Sequence, residues 1–212
     1  MVVGGTNIDM RQSPTPLHCA AYFGHDRILA ALLLNGADTD ALDDRATPLK
    51  SAADQGQLAA VKTLLTADAD FNMHHTESGY TALHCAAWNG HDEIPAALLL
   101  NGDREALDDC GYTPLMLAAD EGHLAAFKTL LAADADLNMR NTANGWTALH
   151  WAVCNGQDKI LAALLLIGAD KDALDNDGYT PLMWVADKAT LLPPRLSWPP
   201  VQISMCTVLN AE

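Results

Sequence analysis

Apolar residues recur along this chain at the spacing of one helical face, as in Ile28, Leu29, Leu32 and Leu33, and glycine cuts the periodic stretches at short intervals. The punctuation has a period. A Thr-x-Leu anchor stands at Thr15, Thr47, Thr81, Thr113, Thr147 and Thr180, with successive spacings of 32, 34, 32, 34 and 33 residues. Threonine followed by proline, as in Thr113-Pro114, suits a helix entry, because the hydroxyl caps the first turn and the missing proline N–H costs nothing there. The pattern therefore predicts a first helix running to Gly24, Gly56, Gly90, Gly122 or Gly156, where a left-handed residue lets the chain reverse. A second helix then ends near Gly36, Gly102 or Gly168, and an acidic loop such as ALDNDGY leads into the next anchor as a turn or short hairpin.

A second period lies on the first. The odd copies share one text, HCAAYFGHDRILAALLLNGAD and HCAAWNGHDEIPAALLLNGD, and the even copies another, LAAVKTLLTADADFNM and LAAFKTLLAADADLNM. Duplication of a two-repeat unit of about 66 residues explains both periods.

The anchor text TPLHCA at Thr15–Ala20 and its in-phase repeats over about residues 8–190 resemble the ankyrin family. That resemblance implies an all-α solenoid of stacked helix-turn-helix units with projecting hairpin fingers, whose fingers and first helices line a concave protein-binding face. Three departures stand out. Lys50, Met116 and Met183 replace the signature histidine in the even copies, so its hydrogen-bond network should break at alternate repeats. Arg45-Ala46 stands where other fingers have glycine, and Pro95 falls near the start of a second helix, where proline is tolerable.

Three segments are expected: residues 1–14 as the partial finger of a missing repeat, 15–190 as the repeat domain, and 191–212 as a proline-containing non-repeat tail. Ile8-Asp9-Met10-Arg11 echoes Leu137-Asn138-Met139-Arg140, and two proline pairs in the tail oppose a further helix. Both ends break mid-repeat, so a fragment of a longer array is expected.

Half of the residues are apolar but only 6% are aromatic, which fits helices built of alanine and leucine. Lysine and arginine number 12 against 27 acids, a net charge of -15 that repels nucleic acid and favours encounters with basic segments. The apolar runs are too short to span a bilayer, and the N-terminus carries no signal-peptide pattern. A monomer in the cytoplasm, or in the nucleus, is expected. Cys19 and Cys85 occupy equivalent positions two repeats apart, beyond disulfide reach, so free thiols are expected.

By resemblance, partner contacts fall on the residue before each anchor and on the two residues before each first-helix glycine. The former are Tyr80, Tyr112, Trp146 and Tyr179. The latter are Tyr22 and Phe23, Asp54 and Gln55, Trp88 and Asn89, Asp120 and Glu121, and Cys154 and Asn155. Aromatics bury much area with few rotors, and the acids, expected to be exposed, favour a basic ligand. Tyr22, Phe23 and Trp88 are the strongest candidates, since they vary between near-identical copies.

Catalysis is not expected. The His18-Cys19 and His84-Cys85 neighbours diverge by about 100° on a helix, so neither makes a dyad. His74-His75 and the acidic fingers lack metal-ligand spacing, and no phosphate loop or nucleophile elbow is present, so no cofactor or metal is expected. Asn72 and Asn138 lie in finger sequences that resemble those hydroxylated on asparagine by the factor-inhibiting hydroxylase of hypoxia signalling. LPPRL in the tail resembles the end of a SOCS box, which would imply a ubiquitin-ligase substrate adaptor. A regulatory segment of a larger enzyme or channel is the other alternative.

Overall fold

A computed structural model describes residues 13–43, 46–73, 78–100 and 105–190, and the readings placed on residues 1–12 and 191–212 lie outside these. Eleven helices alternate in two layers among the described residues. The first helices are α1 (Pro16–Phe23), α3 (Pro48–Asp54), α5 (Ala82–Asn89), α7 (Pro114–Glu121), α9 (Ala148–Cys154) and α11 (Pro181–Thr190). The second helices are α2 (Asp26–Leu34), α4 (Leu58–Thr66), α6 (Ile94–Leu98), α8 (Leu124–Ala132) and α10 (Asp158–Leu166). Each first helix from α1 to α9 packs on the first helix of the next copy and on its own second helix, and α11 packs on α9, so the order in space follows the order in the chain. This is the all-α stack that the repeats imply.

The anchors do local work. Thr15, Thr47, Thr81 and Thr113 accept hydrogen bonds from the backbone N–H three residues on, and proline or alanine fills the first helical position. The anchor leucines Leu17, Leu49, Leu83, Leu115 and Leu149 are buried between the layers. Each contributes about 2 kcal/mol of apolar burial. In the sixth copy Leu182 and Met183 face solvent instead.

Two expectations need correction. Pro95 does more than sit harmlessly near a helix start. The other second helices have nine residues, but α6 has five, with Pro95 at its second position. Proline lacks an N–H and clashes with the preceding turn, so the helix starts two residues late. The thiol expectation holds at Cys19, Cys85 and Cys154 and fails at Cys110, which is disulfide-bonded.

The fingers are tight turns closed by one or two bonds, without strands among the described residues. Asp108, Asn141 and Asp175 donate their backbone N–H to the carbonyls of Tyr112, Trp146 and Tyr179, and their side chains accept the N–H of the same three residues. Neighbouring fingers are tied by Asp109 N–H to Ser78 C=O (3.3 Å), Thr142 N–H to Cys110 C=O (3.1 Å) and Asn176 N–H to Asn144 C=O (2.9 Å). The finger before Thr47, which lacks the glycine, still closes, through Asp43 N–H to Ala46 C=O and Ala46 N–H to Asp43 Oδ1.

Candidate functional site

Two kinds of polar link alternate along the stack. At the odd-to-even steps a histidine carries it. His84 Nδ1 accepts the backbone N–H of its anchor Thr81 (3.2 Å), and its Nε2–H donates to Tyr112 C=O (3.0 Å) in the next finger. His18 joins Thr15 to Ala46, and His150 joins Thr147 to Tyr179, in the same way. Burial pushes His84 down to about 4, so the ring is neutral, as one acceptor and one donor nitrogen require. Burial lowers His150 too.

At the even-to-odd steps an Asp–Asn pair adds a link at the other end of the first helix. Asn89 Nδ2 donates to Asp54 Oδ1 (3.0 Å), and His91 Nε2–H donates to Asp54 C=O (2.9 Å). One unit later Asn155 Nδ2 donates to Asp120 Oδ1, and Gln157 Nε2 donates to Asp120 C=O (2.9 Å). The two-repeat unit thus has a histidine seam inside it and an Asp–Asn seam joining it to the next.

This geometry sorts the candidate contact residues. Tyr22 (43% exposed) and Phe23 (62% exposed) meet edge to face at 5.0 Å and present a ring surface at the first copy. Trp88 is half-buried, and Asn89, Gln55, Glu121 and Asn155 are exposed. Asp54 and Cys154 are half-buried. Asp120, expected to be an exposed acid, is only 9% exposed, because α9 of the next copy brings Asn155 onto it. Burial, with Glu121 adding repulsion, pushes its carboxyl up to about 7.

The finger aromatics pack inward more than outward. Tyr80 stacks on His84 (5.4 Å) and Trp146 on His150 (6.0 Å). Tyr112 and Trp146 both meet Trp151, at 5.3 and 4.5 Å, while Trp184 meets Trp146 and Tyr179 at 5.3 and 5.4 Å. The indoles of Trp146 and Trp184 donate to Asp175 Oδ2 at 3.2 and 2.8 Å. Burial pushes the Asp175 carboxyl up, but these bonds and the N–H groups of Tyr179 and Asp177 outweigh it and hold it below the usual carboxylate range. Trp151 is itself buried, and its indole N–H has no partner among the described residues.

The His84-Cys85 neighbours are chemically quiet. Burial pushes the Cys85 thiol up to about 12, so it is not a thiolate, and His84 is committed to Thr81 and Tyr112. Among the described residues no group of three His, Cys, Asp or Glu side chains is placed to hold a metal ion, and no helix is long and apolar enough to cross a membrane. His74-His75 and LPPRL lie outside the described residues.

A family model described as ankyrin repeats, three copies, matches residues 1–75, 67–141 and 134–191. The chain belongs to the ankyrin-repeat family. It is 35% identical over 176 residues (82% of this chain, 14% of the relative) to a transient receptor potential cation channel subfamily A member 1 homolog of Caenorhabditis elegans. It is 37% identical over 171 residues (79% and 33%) to ankyrin repeat and SOCS box protein 3 of Bos taurus. It is 35% identical over 141 residues (64% and 14%) to the nuclear factor NF-kappa-B p105 subunit of Gallus gallus. The chain thus spans a third or less of the length of these three relatives.

Within these ankyrin repeats, reading the sequence missed the Asp54–Asn89 and Asp120–Asn155 pairs as pairs, although all four residues were singled out. The signal was present: aspartate in each even copy and asparagine in the odd copy after it, 35 residues on. Trp151 and Trp184 were not among the sequence candidates, because their contacts with the finger aromatics are made across the stack.

Proposed function

We propose that this chain is a protein-interaction module that binds a segment of a partner protein, basic in character, along the face formed by the fingers and first helices. The observation that carries the reading is the exposed Tyr22–Phe23 pair, at positions that change to Trp88-Asn89 in the near-identical third copy. Large aromatics left in water on a rigid scaffold are the side chains that dominate binding hot spots. The excess of 27 acids over 12 bases supports a basic partner.

Affinity capture with the wild-type chain and with a Tyr22→Ala plus Trp88→Ala variant tests this. The expected result is loss of specifically captured proteins from the variant; if every one is retained, the assignment of the face is wrong.

A second reading is favoured by the short coverage of the relatives, one of which is named as a channel and one as a SOCS box protein. On that reading the repeats are a regulatory segment of a larger protein or the substrate-binding part of a ubiquitin-ligase adaptor, and recovery of the full transcript separates the two.

Asparagine hydroxylation at Asn72 and Asn138 is a further proposal. Both side chains are exposed in loops, with Asn138 Oδ1 accepting the N–H of Asp170 at 2.9 Å. Mass spectrometry that finds both unmodified after incubation with the hydroxylase ends that idea.

A further inference from the structure

The duplicated unit allows each residue of the second copy to be compared with that of the fourth. Asp54 has both carboxylate oxygens satisfied: Asn89 Nδ2 donates to Oδ1 (3.0 Å), and Gln55 Nε2 donates to Oδ2 (2.8 Å). In the fourth copy the first donor survives as Asn155, but the position of Gln55 is occupied by Glu121, whose side chain lacks the amide N–H. Asp120 is also the more deeply buried of the two. Its second oxygen therefore has no donor among the described residues, and no ion pair reaches it. That oxygen is open to solvent rather than sealed in, so a partner can reach it with a charge-assisted donor.

From these observations we infer that Asp120 is the anchor for a cationic side chain, arginine or lysine, of an extended peptide segment of the partner protein. Tyr80 and Tyr112 lie within electrostatic reach of the same carboxylate. An arginine or lysine side chain on an extended peptide brings the charge-assisted donor that the second Asp120 oxygen lacks. Glu121, exposed beside Asp120, adds attraction for the same charge. The inference rests on the concave-face reading above and sharpens it to one residue.

The pH dependence has a definite sign. The Asp120 carboxyl is pushed up to about 7, and a cation binds its ionised form, so affinity rises as pH increases from about 6 to about 8. The other titratable groups around it are Glu121 on its own helix, Cys85 on α5, Cys154 on α9, and Tyr80, Tyr112 and Asp108 on the fingers. Burial raises Cys85 and both phenols well above this window, and Asp108 is pushed up only to about 6. Comparison with Asp120→Asn removes their share.

The test is selection of a random phage-displayed peptide library on the full chain, followed by fluorescence anisotropy of the selected peptides. Asp120→Asn keeps the oxygen that Asn155 binds and removes the charge. Glu121→Gln recreates the donor of the second copy, so Asp120 is satisfied internally. The expected result is a fixed arginine or lysine in the selected peptides, with affinity reduced roughly ten-fold or more by Asp120→Asn and several-fold by Glu121→Gln. The pH trend should also be lost in Asp120→Asn. Peptides without a fixed cation, or with unchanged affinity for Asp120→Asn, overturn the anchor. If such peptides still lose binding to Tyr22→Ala plus Trp88→Ala, the face stands and only the anchor falls. Failure to select any peptide, or binding indifferent to all four changes, overturns both.

Discussion

Replacing His84 with methionine, the residue that the fourth copy carries at the same position, tests the histidine seam with little change in apolar packing. Met116 is buried at that position, so a methionine of similar bulk fits the repeat frame. What it cannot do is accept the backbone N–H of Thr81 or donate to Tyr112 C=O. The Tyr112 carbonyl keeps its bond from Asp108 N–H, but the buried Thr81 N–H loses its acceptor. An orphaned buried donor costs about 1–3 kcal/mol, and the lost donation to Tyr112 about 1 kcal/mol more. We therefore expect His84→Met to destabilise the stack by about 3 kcal/mol at neutral pH, measured by urea unfolding followed through tryptophan fluorescence.

The same variant has a pH signature. His84 is pushed down to about 4 in the fold, while the unfolded chain takes up a proton near its ordinary value of 6.5. Its contribution is therefore complete above about pH 6.5 and is lost as pH falls towards about 4, a swing of about 3 kcal/mol. The stability gap between wild type and His84→Met should shrink across that window. A gap below about 1 kcal/mol at neutral pH, or one that stays constant on acidification, refutes the reasoning.

The glycines offer a paired comparison. Gly36 and Gly111 both have positive φ, at 81° and 76°, but a Cβ on Gly36 meets nothing within 4 Å, whereas one on Gly111 falls 2.6 Å from the backbone nitrogen of Thr142 in the next finger. Gly36→Ala should cost only the left-handed strain, about 1–2 kcal/mol. Gly111→Ala should cost at least about 2 kcal/mol more, because backbone must move; equal losses in chemical denaturation would show that finger stacking contributes nothing. Pro95→Leu restores the text of the first copy, ILAALLL, and should extend α6 towards the nine residues of α2. A gain of about 2 kcal/mol with increased helical ellipticity is expected, and a loss of stability would mean that the short helix is needed where it lies.

Much of this fold was legible in the chain itself, because its rules are local. Threonine caps, first-turn prolines, left-handed glycines and the apolar face of each second helix depend on residues three or four apart, and they recur often enough for the period to correct any single misreading. The loss of the histidine's own hydrogen bonds where methionine stands at Met116 could be foreseen from the letters.

The tertiary structure decided what lies across the stack. His84 finds Tyr112 28 residues away, and Asn155 finds Asp120 35 residues away, only because one repeat sits on the next. Asp54 and Asp120 are the same letter in the same local text, yet one is half-exposed with both oxygens satisfied and the other is buried with one oxygen open. The reason is physical: solvent exposure belongs to the packed neighbour, which the letters of one repeat do not contain, while the donor to the second oxygen is the adjacent Gln55, replaced by Glu121 in the fourth copy.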